Sequence, residues 1–211
     1  MNLNEFEHEL LECKKCKWHH DAIALVGWFG NPDSSIVFVR EGPGVVDDEY
    51  GCPLIGPSGQ LPDKALWAAK MTRDRVLTTN VIKCRPKGDR THDLAEANFC
   101  ARQWLDRELD ILQPKVIVAL GGVAMHYLGN PDMRITRDSG QWFKTKQGFD
   151  CIATFHPAYL LRLTGKSLVA AKWDVFHDLQ TARDLAAERA PGYSFMAEEK
   201  TDLFKIFTKR A

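Results

Sequence analysis

Four thiols have the type and spacing for chemistry: Cys13 and Cys16, three positions apart, and Cys84 and Cys100, sixteen apart. Cys13-Lys14-Lys15-Cys16 alone is a weak signal, since thiols at that spacing serve redox chemistry, zinc binding or neither. Cys84 lies in a loop just before Arg85-Pro86, and Cys100 falls in the next helical stretch. Two ligands from the amino-terminal segment and two from either end of one connection would make a four-thiolate site that pins the amino terminus to the body. Four thiolates suit zinc and a four-iron cluster equally by ligand count, and buried free thiols are the alternative to both. Cys52 and Cys151 stand outside the set, and Cys151, opening an apolar run, reads as a small core residue.

Three loops carry further candidates. Asn80 closes the run Arg75-Val76-Leu77-Thr78-Thr79. Its carboxamide offers one acceptor and two donors, a set that matches the N3–H and O4 of uracil and that cytosine reverses; Asn is also a common strand-end turn residue. His156 opens His156-Pro157-Ala158-Tyr159-Leu160-Leu161-Arg162. A histidine in a crevice can donate a hydrogen bond to an oxygen gaining negative charge, and Tyr159, Leu160 and Leu161 have the apolar bulk to wedge into a base stack; a purely structural histidine is the alternative. The longest loop runs from Arg40 to Gly59, its glycines and prolines permitting close backbone approach while its acidic residues argue against a phosphate cradle. It reads as a pocket wall or as a long surface loop.

The elements that must hold these loops alternate. Apolar runs of strand length cover 36–39, 75–79, 116–120 and 151–155, and helical patterns cover 4–16, 59–70, 93–112, 121–128 and 166–188. Such alternation predicts an α/β fold, a three-layer α/β/α sandwich around a central, mostly parallel four-stranded sheet, with ligands at the carboxyl ends of the strands. Residues 1–190 are expected to form one domain, and Pro191-Gly192 to begin an appended tail at 191–211, with Phe195, Leu203, Phe204 and Phe207 packing back.

Composition sets the context. Formal charge is zero, from 28 basic and 28 acidic side chains, so no global field draws the protein onto a polyanion. Lys83, Arg85, Lys87 and Arg90 nevertheless make a local basic strip, suited to DNA phosphates or simply to solvent. No run of about 18 apolar residues is present, and the first residues have neither a basic nor an apolar leader pattern. A monomer in the cytoplasm, with no membrane partner and with thiols kept reduced, is the expectation.

Taken together, the motifs resemble the iron–sulfur (family-four) uracil-DNA glycosylases, whose first motif reads roughly Gly-Glu-Ala-Pro-Gly-x-x-Glu, then Gly-x-Pro-Phe-Val-Gly-x-Ala-Gly. Here the corresponding residues are Arg40-Glu41-Gly42-Pro43-Gly44-Val45-Val46-Asp47 and Gly51-Cys52-Pro53-Leu54-Ile55-Gly56-Pro57-Ser58-Gly59. Thr79–Pro86, Pro114–Gly121 and His156–Leu161 follow in the same order, and the resemblance spans about residues 10–185. It implies a four-iron, four-sulfur cluster on Cys13, Cys16, Cys84 and Cys100, with zinc as the alternative. It implies that Asn80 reads the uracil edge, that His156 stabilises the departing base, and that Glu41, Gly42 and Pro43 line the pocket. Leu54 takes the place of the phenylalanine on which the family stacks uracil, and Asp47 that of a glutamate that crowds C5.

The implied activity is hydrolysis of the N-glycosidic bond of uracil in DNA, leaving an abasic site. Lys83, Arg85, Lys87 and Arg90 would contact DNA with Tyr159, Leu160, Leu161 and Arg162, and Glu41 or Asp47 would activate the water. The departures at positions 47 and 54 keep two alternatives open: a catalytically weak iron–sulfur DNA-binding protein, and a glycosylase of shifted base specificity.

Overall fold

In the computed structural model, residues 2–54, 57–89 and 94–197 are described. In chain order the helices and strands are α1 (Leu3–Leu11), β1 (Phe29–Gly30), β2 (Ile36–Arg40), α2 (Val45–Tyr50), α3 (Pro57–Ala68), β3 (Leu77–Asn80), α4 (Leu94–Gln103) and α5 (Leu105–Leu112). Then come β4 (Val116–Leu120), α6 (Gly122–Leu128), α7 (Ile135–Asp138), β5 (Trp142–Lys144), β6 (Asp150–Thr154), α8 (Pro157–Leu160) and α9 (Gly165–Arg189). Among the described residues the strands form one sheet in the order β1-β3-β2-β4-β6-β5. The four predicted strands are its parallel centre, and β1 and β5 add antiparallel edges. These two escaped the sequence because β1 has only two residues and β5, with three, is half exposed and lacks a buried face.

Period-two side-chain alternation sends the two faces of the sheet into two cores. Val37, Val39, Leu77, Ile117 and Ala119 meet residues of α1, α4, α5 and α6, while Phe38, Val118 and Ile152 meet α3, α8 and α9. Helices therefore cover both faces, as the three-layer expectation requires.

Two predicted helices are shorter than their patterns. Asn2 and Glu5 cap α1 reciprocally, each side chain accepting the other's backbone N–H at 2.9 Å. The helix ends at Leu11, so Cys13 and Cys16 lie in the turn beyond it. Phe6 and Leu10 are fully buried, each contributing about 1.5–3 kcal/mol of apolar burial that holds the thiol-bearing segment to the body. The 93–112 pattern divides at Trp104, whose backbone is non-helical while its indole is buried edge-on to Phe6, ring centroids 5.8 Å apart. Burying that ring takes precedence over continuing the helix.

Phe195 packs into the α3/α9 core, and its carbonyl accepts the N–H of Thr72 at 2.8 Å. Leu203, Phe204 and Phe207 lie outside the described residues, as do Ile55, Gly56 and Arg90. Among the described residues no helix is long and apolar enough to cross a membrane.

Candidate active site

His156 follows the carboxyl end of β6 and caps α8. Its Nδ1 accepts the N–H of Ala158 at 3.1 Å, which leaves the ring proton of the neutral imidazole on Nε2. Burial, helped by the nearby Arg40 and Arg162 cations and opposed by Asp47, pushes its pKa down to about 4. At neutral pH it is an uncharged donor. Gly121, with φ +89°, leaves room for the His156 ring, since a Cβ there would stand 3.0 Å from the histidine Cβ.

A cavity of about 300 Å³ opens beside this imidazole, lined by Glu41, Gly121, Phe155, His156, Tyr159 and Arg162 among others. Burial raises the pKa of the Glu41 carboxyl, against the pull of Arg40. Phe155 and Tyr159 pack ring to ring with centroids 5.1 Å apart.

Asn80 ends β3 beside Arg40, its register partner on β2. It is fully buried, and among the described residues neither its Oδ1 nor its Nδ2 has a hydrogen-bond partner. Asp47 is also buried: its Oδ2 accepts from Arg40 Nη1 at 2.9 Å and from the Gly44 N–H at 3.1 Å. A carboxylate held by a guanidinium and a backbone amide is poorly placed to take a proton from water. Of the two acids expected to activate water, Glu41 is the one that lines the cavity.

Leu54 borders a second, adjoining cavity. With φ +64° and 3% exposure, it lines a small apolar cavity of about 40 Å³ with Phe38, Pro62, Thr78, Leu160 and others, and it is not among the residues around His156. Leu120 and Phe155 line both cavities, and the aromatic rings lining the one beside His156 are those of Phe155 and Tyr159. Sequence reasoning missed Phe155 because it looked like the last apolar residue of its strand. Arg40 was passed over as a loop terminus, although a charged residue ending an otherwise apolar run was the available signal.

Two expected DNA contacts are corrected. Lys83, 1% exposed, is inside the protein: its Nζ donates to Glu108 Oε2 and to Thr79 Oγ1, both at 2.6 Å. Leu160 is buried against the α3/α9 core, where it cannot reach a base stack. Leu161, 61% exposed, stands out instead, with Arg162 and Lys87 also exposed, and Arg85 and Tyr159 half-buried.

Cys84 and Cys100 are buried, Cys13 and Cys16 half-buried, and among the described residues none of the four is in a disulfide. Burial first, then the nearness of Cys100, Cys16 and Cys13, raises the pKa of Cys84, so the four groups lie within electrostatic reach of one another. Cys151 is shut in the sheet, within the same core that Cys100 joins, and Cys52 follows α2. A single ion needs its sulfur ligands about 2.3 Å from one centre, and among the described residues no three His, Cys, Asp or Glu side chains are so grouped.

Comparison with known proteins gives a consistent answer. Residues 28–180 match the model of the uracil DNA glycosylase superfamily. The chain is 35% identical over 173 residues to a type-4 uracil-DNA glycosylase of Thermotoga maritima, covering 82% of this chain and 88% of that protein. It is 35% identical over 169 residues to the Sulfurisphaera tokodaii enzyme of the same name, covering 76% of each, and 34% identical over 167 residues to that of Archaeoglobus fulgidus, covering 76% of this chain and 83% of that protein. The chain belongs to the uracil DNA glycosylase superfamily, among the type-4 uracil-DNA glycosylases.

Proposed function

We propose that this protein removes uracil from DNA by hydrolysing the N-glycosidic bond, leaving an abasic site. The observation that carries the reading is Asn80: a fully buried carboxamide with both polar atoms unpartnered among the described residues, at the carboxyl end of a central parallel strand. Buried amides are nearly always satisfied, so one that is not points to an absent ligand with a matching donor and acceptor.

The chemistry follows from the neighbours. An extruded nucleotide enters the cavity, and Leu161 takes its place in the stack. The C1′–N1 bond breaks, its electron pair stays with the base, and the Nε2–H of His156 donates to the oxygen that gains this charge. A donor so placed is worth about 3–4 kcal/mol of barrier, and a neutral one performs the role without first losing a proton. Glu41, its carboxylate made more basic by burial, orients the water that bonds to C1′ and takes that water's proton. Arg85, Lys87, Tyr159, Leu161 and Arg162 would contact the DNA, and Gly42 and Pro43 would line the approach.

Cys13, Cys16, Cys84 and Cys100 are the residues that would hold a four-iron, four-sulfur cluster, supported by their mutual nearness and by the family. Its contribution would be a structural brace joining the α1 segment to the loop after β3. Zinc is the alternative on the same ligands.

The test is single-turnover incubation with a uracil-containing oligonucleotide. Release of free uracil with an alkali-labile abasic site is expected; binding without an abasic product would mean a DNA-binding protein on a glycosylase scaffold. Residue 54 away from His156 and residue 47 bound to Arg40 favour one further reading, a shifted preference among related bases, which a panel of deaminated and C5-substituted bases resolves.

A further inference from the structure

Arg40 is the register partner of Asn80 on adjacent parallel strands, and side chains at paired positions leave the same face of a sheet. Its burial is nearly complete, at 3% exposure. One nitrogen, Nη1, is committed to Asp47 at 2.9 Å, yet Nε has no partner among the described residues. Three polar atoms on two neighbouring residues, Arg40 Nε, Asn80 Nδ2 and Asn80 Oδ1, are thus buried and unpaired at the end of the sheet where such folds take their ligands. A role in anchoring Asp47, and with it the first turn of α2, accounts for Nη1 and leaves Nε unexplained. The motif of the family has a glycine at this position, so Asn80 alone does not require it.

We infer that Arg40 is a specificity-determining residue whose Nε–H, beside the Asn80 carboxamide, donates to a carbonyl oxygen of the extruded base, so that the two side chains together select an imide edge. The complementarity is chemical. The two residues present two donors and one acceptor, and an imide, C=O next to N–H next to C=O, presents two acceptors and one donor. Uracil and its C5-substituted relatives satisfy all three protein atoms. Cytosine has no N–H between its amine and its carbonyl, and hypoxanthine has one carbonyl where an imide has two, so each leaves a buried group unpaired. The inference rests on the proposed function and assigns its base preference to a residue outside the loop carrying His156.

Arg40→Lys isolates the effect. Lysine keeps a cation within reach of Asp47 but puts a methylene where Nε stands. Single-turnover release of uracil, 2-thiouracil and 4-thiouracil from otherwise identical oligonucleotides is measured for parent and variant, sulfur being a weak acceptor. The parent should be slower on the analogue whose contacted oxygen is replaced. The variant should release uracil about tenfold more slowly and lose that discrimination for one of the two analogues. Should Arg40→Lys fold poorly, the double variant Arg40→Met, Asp47→Asn removes both charges together, and the same rate ratios are read. Unchanged ratios on both analogues, with an active parent, overturn this inference alone. A parent that releases no uracil overturns the function and this inference with it.

Discussion

A β-carbon built on Gly121 would stand 3.0 Å from the β-carbon of His156, closer than nearly all real contacts of that kind. Gly121 also has φ +89° and ψ 177°, a backbone region that side chains strongly disfavour. The carboxyl end of β4 therefore sets where the histidine after β6 can stand, although neither residue bonds to the other. Gly121→Ala should displace the imidazole, lowering uracil release by about tenfold or more and stability by about 1–3 kcal/mol. Single-turnover rates beside thermal unfolding check this; a variant that melts lower yet cleaves at the parent's rate would show that His156 keeps its place without Gly121.

Because the His156 pKa lies near 4 in the folded protein, against about 6.5 in an unfolded chain, the folded state binds fewer protons between those values. Stability from this group is fully present above pH about 6.5 and is lost as pH falls through 4. The slope contributed is at most about 1.4 kcal/mol per pH unit. His156→Gln should reduce the stability difference between pH 4.5 and 7, as read by urea unfolding, and should lower uracil release by roughly 100-fold at both values. An identical pH difference in parent and variant would mean that the histidine takes up its proton in the folded protein as readily as in the unfolded chain.

The sheet's parallel centre was legible because its strands are buried runs rich in apolar or β-branched residues and ended by turn residues, and this follows from helices on both faces. The positions of His156 and Asn80 could be marked for a related reason, since they stand at strand ends where the alternation itself places a crevice, whereas the four thiols were marked by their spacing alone. What could not be read is which side of a wall a loop residue faces. Leu54 occupies the motif position of a stacking ring, but its positive φ turns it into the apolar cavity against Phe38, and no period marks that turn. Lys83 lies in a basic strip by sequence and inside the protein by structure, because its partner Glu108 is 25 residues away on α5.

That buried pair makes a separate prediction. Lys83, Glu108 and Thr79 form a closed set of contacts at 2.6–2.7 Å, with both charges almost wholly out of water. Removing one partner strands the other, so Lys83→Met should cost about 3–5 kcal/mol, whereas Lys83→Met with Glu108→Leu should recover most of it. The salt dependence of DNA binding by the folded double variant should match the parent's, whereas Lys87→Ala should flatten it by about one counterion if Lys87 touches phosphate. A flattened slope in the double variant would return Lys83 to the DNA surface.

The proposed cluster ligation would separate the six cysteines into two groups. Protein prepared without oxygen should be brown from thiolate-to-iron charge transfer, and Cys84→Ser or Cys100→Ser should bleach it. Cys151→Ala, in the sheet, and Cys52→Ala should leave the colour intact, whatever they cost in stability. Iron and zinc analysis of the same samples distinguishes the two metals: colourless parent protein with one zinc per chain would replace the cluster by a zinc site.

Phe155 and Leu54 share one cavity wall, but only Phe155 also faces His156, and their substitutions should therefore fail in different ways. If the Phe155 ring supports the extruded base, Phe155→Ala removes stacking worth about 1–3 kcal/mol per base and should slow uracil release by roughly 5- to 150-fold in folded protein. Leu54 is 3% exposed in an apolar environment, so Leu54→Ala should act on the fold, costing about 2–4 kcal/mol with little change in the rate of the folded fraction. Phe155→Ala also removes core contacts, so its melting temperature is expected to fall too, and the discriminating quantity is the cleavage rate at a temperature where both variants are folded. Phe155→Leu sharpens the comparison by keeping most of the buried volume while discarding the flat face. Leu54→Ala slowing cleavage as much as Phe155→Leu does, at equal folded fraction, would move the base to the other cavity and restore residue 54 to the stacking position that its motif suggests.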